Sequence, residues 1–132
     1  MKETAQFKAG LKVRREVLGA KYVDDALAQA DDFTEEWQQF VTETAWGAVW
    51  TRDGLSRKTR SMLNLAMLTA LNRPAELKLH VRGAINNGVS KDEMKEIFLQ
   101  SAIYCGVPAA LESFKIAKQV FAEDSAANAA KL

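Results

Sequence analysis

This sequence predicts an all-α fold, on three observations. Apolar residues recur at helical spacing along most of its length. The apolar runs are bracketed by helix punctuation: Ser56, Pro74, Asn87-Gly88, Ser90-Lys-Asp-Glu93 and Gly106-Val-Pro108. No stretch alternates apolar and polar residues between turn signals, as a half-buried strand would.

In chain order, Gly10–Leu18 reads as a short helix through Leu11, Val17 and Leu18, ended by Gly19. Asp24 caps a second one through Ala26, Leu27 and Ala30. Thr34 opens a longer helix, Glu35 to about Trp46, with Phe33, Trp37, Phe40, Val41 and Ala45 at helical spacing. Trp46 to Leu55 is expected to be a connector, unusual in holding two tryptophans and an arginine. Ser56 caps the next helix, where Met62, Leu63, Leu65, Met67, Leu68 and Leu71 leave it apolar nearly all round, so burial on most sides is expected. Pro74 suits a first helical position and Asn87-Gly88 a stop, since glycine takes the left-handed conformation without a Cβ clash. Ser90 to Glu93 is a capping box with Val89 as its staple, heading a helix through Met94, Ile97, Phe98, Ile103 and Tyr104. Pro108 begins the last helix, and the alanine-rich tail Glu123–Leu132 is expected to fray. With no repeat and no low-complexity linker, residues 1–132 read as a single domain.

Composition narrows the function. A net charge of +1 argues against nucleic-acid binding driven by charge. No apolar run is long enough for a membrane span, and the mixed polar start, Met1–Gly10, is not a signal peptide. A lone Cys105 in an apolar stretch reads as an inert buried thiol in a reducing compartment, so the expected location is cytoplasmic. No Cys/His cluster has zinc spacing, and no metal site is expected. The apolar Ser56 helix and the stretch Ile97 to Ala110 are hard to bury in so small a bundle, which predicts a homo-oligomer.

The candidate site centres on the helix that Pro74 opens. At about 100° per residue, Glu76, His80, Gly83 and Asn87 fall in a strip roughly 60° wide. It borders an apolar face of Leu77, Val81, Ala84 and Ile85. The one histidine thus shares a face with a carboxylate a turn back. That pair either stabilises the helix, by about 0.2–0.5 kcal/mol, or works as an acid–base pair, the carboxylate orienting the imidazole and raising its pKa. Trp46, Trp50 and Arg52 read as a packed loop or as a pocket wall with an anion anchor. Arg57 and Arg60 oppose the dipole at a helix N-terminus, and a bound anion would account for them.

These blocks carry a resemblance. Ala45-Trp46-Gly-Ala-Val-Trp50 with Arg52 and Gly54-Leu55, Lys58-Thr-Arg60-Ser, Glu76-Leu-Lys-Leu-His80-Val-Arg-Gly-Ala84 with Asn87-Gly88, and Tyr104 with Gly106-Val-Pro108 together resemble the carboxymuconolactone decarboxylase family, in order from about Leu11 to Val120. The wider superfamily resembles alkyl hydroperoxidase D, an all-helical fold forming trimers or hexamers. Its peroxidases carry Cys-x-x-Cys-x-x-x-His; here Arg73 and Glu76 occupy the cysteine positions and only His80 remains, so thiol redox chemistry at that site is excluded. The resemblance implies cofactor-free decarboxylation of a lactone dicarboxylate, γ-carboxymuconolactone, to 3-oxoadipate enol-lactone in protocatechuate breakdown. It also implies a homo-oligomer, trimer or hexamer. His80, or Glu76 if buried and neutral, would deliver the proton to carbon. Arg52, Arg60, Trp46, Trp50 and Asn87 would bind the substrate. A related lactone or β-keto acid decarboxylase and a non-catalytic helical oligomer are the alternatives.

Overall fold

The structure, a computed structural model, describes residues 1–130. The last two residues of the tail expected to fray, 131–132, lie outside the described residues. Among the described residues the elements are all helical: α1 (Ala5–Leu18), α2 (Ala20–Ala28), α3 (Glu35–Val41), a π-helix (Thr42–Trp50), α4 (Arg57–Ala70), α5 (Pro74–Asn86), α6 (Lys91–Cys105) and α7 (Val107–Ala130). They gather into two compact units, residues 1–57 and Lys58 onward.

The first unit is built on α1 packed against the π-helix. The Thr4 side chain accepts from the Phe7 amide, so α1 starts before the expected Gly10. Gly10 lies buried mid-helix because two backbones meet there. A Cβ at Gly10 would come 2.1 Å from the Thr42 carbonyl oxygen, and one at Gly47 would come 2.5 Å from that of Gln6. Gly10→Ala is therefore expected to lose about 1–3 kcal/mol of stability through overpacking, read as a lowered denaturant midpoint; an unchanged midpoint would mean the helices part without cost. Buried Arg14 ties the same crossing, its Nη1 donating to Gln38 Oε1 at 2.9 Å and Thr42 Oγ1 at 3.1 Å.

Two expectations for this unit need correction. Asp24 does not cap α2, which starts at Ala20 directly after Gly19 (φ 95°); Asp24 instead pairs with Arg15 at 2.6 Å. Nor is Trp46–Trp50 a connector. The helix opened after Thr34 continues as a π-helix to Trp50, and both tryptophans are buried and stacked, centroids 4.9 Å apart. Burying two indoles favours a helix, which satisfies its own backbone groups, over a loop that does not.

The second unit surrounds Leu65, Leu77, Val81, Met94, Phe98, Ile116 and Val120. Pro74 opens α5, Asn87 closes it, and Gly88 follows at φ 86°. Both halves of the Ser90–Glu93 capping box form, above buried Val89. The all-round burial expected of α4 is not found. Ser61, Leu65 and Thr69 are buried on one stripe, where Thr69 Oγ1 meets Ser113 Oγ of α7 at 2.8 Å, while Leu63, Met67 and Leu71 are exposed. Helix α7 runs through the described part of the tail to Ala130. Glu123 is held by Lys78 and Arg82 of α5, and the alanines beyond it favour helix. Cys105 is exposed, not buried, as is neighbouring Tyr104.

Candidate functional site

The polar residues of α4 and α5 meet in antiparallel order. Asn87 Nδ2 donates to Ser61 Oγ at 2.9 Å, and a turn further along α4 the Asn64 amide nitrogen lies 3.3 Å from His80 Nδ1. Leu65 and Val81, the residues next to Asn64 and His80, are fully buried, which sets the rotation of both helices. Arg60, half-buried, stands one turn before Asn64 on α4.

His80 is half-buried and Glu76 is exposed, in an ion pair with Arg73 at 3.4 Å. This reverses the expected direction of the imidazole's acidity. Burial pushes His80 below its ordinary value near 6.5, and the Glu76 charge offsets that only in part. A carboxylate facing water and sharing its field with Arg73 is screened. A histidine whose pKa is lower folded than unfolded adds stability above the unfolded value and loses it as pH falls through the folded one. Unfolding midpoints are thus expected to begin dropping as pH falls below 6.5, a limb that His80→Gln should flatten; an identical limb in that variant would assign it to other groups.

The other expected residues lie in the first unit. Arg52 is exposed just past the π-helix and lines a cleft of about 480 Å³ with Trp50, Lys12, Asp53 and Arg57. Trp46 is not in its lining and stacks on Trp50. Arg57, which sequence left without a partner at a helix N-terminus, bonds Glu16 at 2.6 Å. The structure thus gathers His80, Glu76, Arg60 and Asn87 in one unit and Trp46, Trp50 and Arg52 in the other.

Sequence reasoning missed Asn64, Ser61 and Lys12. Asn64 had a signal, an amide inside the run Met62-Leu-Asn-Leu65-Ala-Met67, four residues after Arg60. Among the described residues no group of three or more His, Cys, Asp or Glu could hold a metal ion, and no helix is long and apolar enough to cross a membrane.

Comparison with known proteins adds the family. The Carboxymuconolactone decarboxylase family matches residues 35–119. A 4-carboxymuconolactone decarboxylase of Acinetobacter baylyi is 46% identical over 121 residues, 92% of this chain and 90% of the relative. Nitrosuccinic acid decarboxylase npaB of Metarhizium robertsii is 47% identical over 113 residues, 86% of this chain and 79% of the relative.

Proposed function

The chain belongs to the carboxymuconolactone decarboxylase family, and on that premise we propose that it converts γ-carboxymuconolactone to 3-oxoadipate enol-lactone, without a cofactor, in the protocatechuate branch of the β-ketoadipate pathway. The observation that carries this reading is the near end-to-end likeness to a decarboxylase of that lactone.

The chemistry needs little from the protein. Loss of CO2 leaves an electron pair that runs through the ring double bond into the lactone carbonyl, forming a dienolate. A proton added at the α-carbon completes the product, so a dianion and one proton give a monoanion and CO2. The lactone is its own electron sink. The protein must hold a dianion, stabilise the enolate oxygen and admit one proton.

His80 is the residue assigned to the reacting centre. Glu76, facing solvent a turn away, suits the passage of a solvent proton inward. Arg60 and Asn87 in the second unit, and in the first unit Arg52 and Trp50 of the cation-lined cleft with Trp46 stacked on Trp50, are the residues assigned to substrate binding. A charge-assisted hydrogen bond contributes about 1.5–3 kcal/mol, so Arg60→Ala and Arg52→Ala are each expected to raise KM about ten- to a hundredfold and to change kcat less. Unchanged KM in both would misplace the anion anchors.

The test is the ultraviolet absorbance of γ-carboxymuconolactone, with CO2 release, on adding purified protein and no cofactor. No spectral change and no CO2 would reject the reaction. The likeness to a nitrosuccinic acid decarboxylase favours a second reading, loss of CO2 from a nitro-bearing dicarboxylate, where the nitro group is the electron sink. The same assay with nitrosuccinate separates the two.

We place the enzyme in the cytoplasm as a homo-oligomer, trimer or hexamer. Exposed Leu63, Met67, Leu71, Ile103, Val107 and Leu111 support the assembly, being a large apolar surface for one chain. A monomer by size exclusion with light scattering would count against it.

A further inference from the structure

We propose that Asn64 is a positioning residue that fixes His80 as its Nε2–H tautomer, making the neutral ring a hydrogen-bond donor to the developing enolate oxygen rather than the acid that protonates carbon. The tautomer is argued from the Asn64 amide nitrogen facing Nδ1; the catalytic half rests on the decarboxylation proposed above.

The Asn64 amide nitrogen, 3.3 Å from His80 Nδ1, can only donate. Nδ1 must therefore accept, and a neutral imidazole that accepts at Nδ1 carries its proton on Nε2. An imidazolium would turn an N–H toward that same N–H, donor against donor, so the amide works against protonation. Burial acts in the same direction. Buried Leu65 sets the rotation of α4 and the Asn87–Ser61 bond holds its register on α5, so the backbone keeps Asn64 on the His80 side.

The Glu76 carboxylate is the charge that opposes this. Glu76, on α5 itself, acts from a solvent-exposed position. From α4, the charged residue nearest Asn64 along the helix is Arg60, one turn before it. Glu123 of α7 is engaged by Lys78 and Arg82, about 160° around α5 from His80. Glu93 of α6 is engaged by Lys58.

A neutral ring suits the reaction. Charge develops on the lactone oxygen, and a fixed N–H aimed there stabilises it without moving a proton. The proton that replaces CO2 then comes from solvent, and the balance is unchanged.

With one histidine in the chain, its ring signals need no assignment. Long-range 1H–15N correlation of the labelled, ligand-free protein, above the titration of His80, is expected to show the Nε2–H pattern. Asn64→Asp, whose carboxylate accepts, is expected to invert it to Nδ1–H and raise the histidine's pKa. Asn64→Leu should leave a mixture. Asn64→Asp is also expected to lower kcat on the order of 10²-fold, with KM nearly unchanged. In wild type, kcat should hold above the titration of His80 and fall as pH drops through it. An Nδ1–H pattern in wild type, or a pattern indifferent to both variants, would overturn the tautomer. A kcat that falls as pH rises through the titration of His80 would overturn the donor role. The wild-type spectrum decides the tautomer even if a variant does not fold. It is also read without substrate, so an inert protein would reject the reaction and leave the tautomer standing.

Discussion

His80→Ala is expected to lower kcat on the order of 10²–10³-fold, the cost of losing one fixed donor to a developing oxyanion, with KM within a few-fold of wild type. On the proposed assignment the two parameters separate, because the donor would act on charge that exists only as CO2 leaves, whereas the arginines would hold the resting dianion. The ring also occupies a half-buried place beside Asn64, so alanine leaves that amide without its acceptor. His80→Gln keeps an N–H near the same position and is expected to recover part of the loss. Initial rates from lactone absorbance measure all three proteins. A kcat unchanged in His80→Ala would remove the imidazole from the mechanism.

Phe98→Ala is expected to lose about 3–5 kcal/mol of stability. Phe98 is 1% exposed and meets Phe114 edge-on at 5.4 Å, within the cluster that also holds Leu65, Leu77, Val81 and Met94. That cluster draws on α4, α5 and α7 as well as α6, so alanine at its largest fully buried side chain opens a cavity in the shared core. Domains of this size are stable by about 5–15 kcal/mol in total, so the variant should unfold at a much lower urea concentration with an unchanged slope. A loss under about 1 kcal/mol would mean that the core collapses around the gap.

Local signals carried the helix boundaries furthest. The Ser90–Glu93 box, Pro74 at the start of α5, and the stops at Gly19, Gly88 and Gly106 are all found where the sequence places them. Each depends on backbone bonds or dihedrals within a few residues, so no distant partner can revoke it. The apolar face of α5 was legible for the same reason, since a 3.6-residue period needs no knowledge of what packs there. Asp24 shows the limit: it is a fair capping residue, yet Arg15 from the preceding helix claims it.

What the sequence by itself determined, then, was an all-helical chain of this family, with one imidazole and a carboxylate a turn apart on α5. Only the tertiary structure decided that Trp46 and Trp50 stack inside a π-helix, that α4 buries one stripe and turns Asn64 toward the imidazole, and that the imidazole loses more to burial than it gains from Glu76. Capping and periodicity are properties of neighbours along the chain. Ionisation and side-chain pairing depend on which groups exclude water from a point in space, and those groups come from helices far apart in sequence.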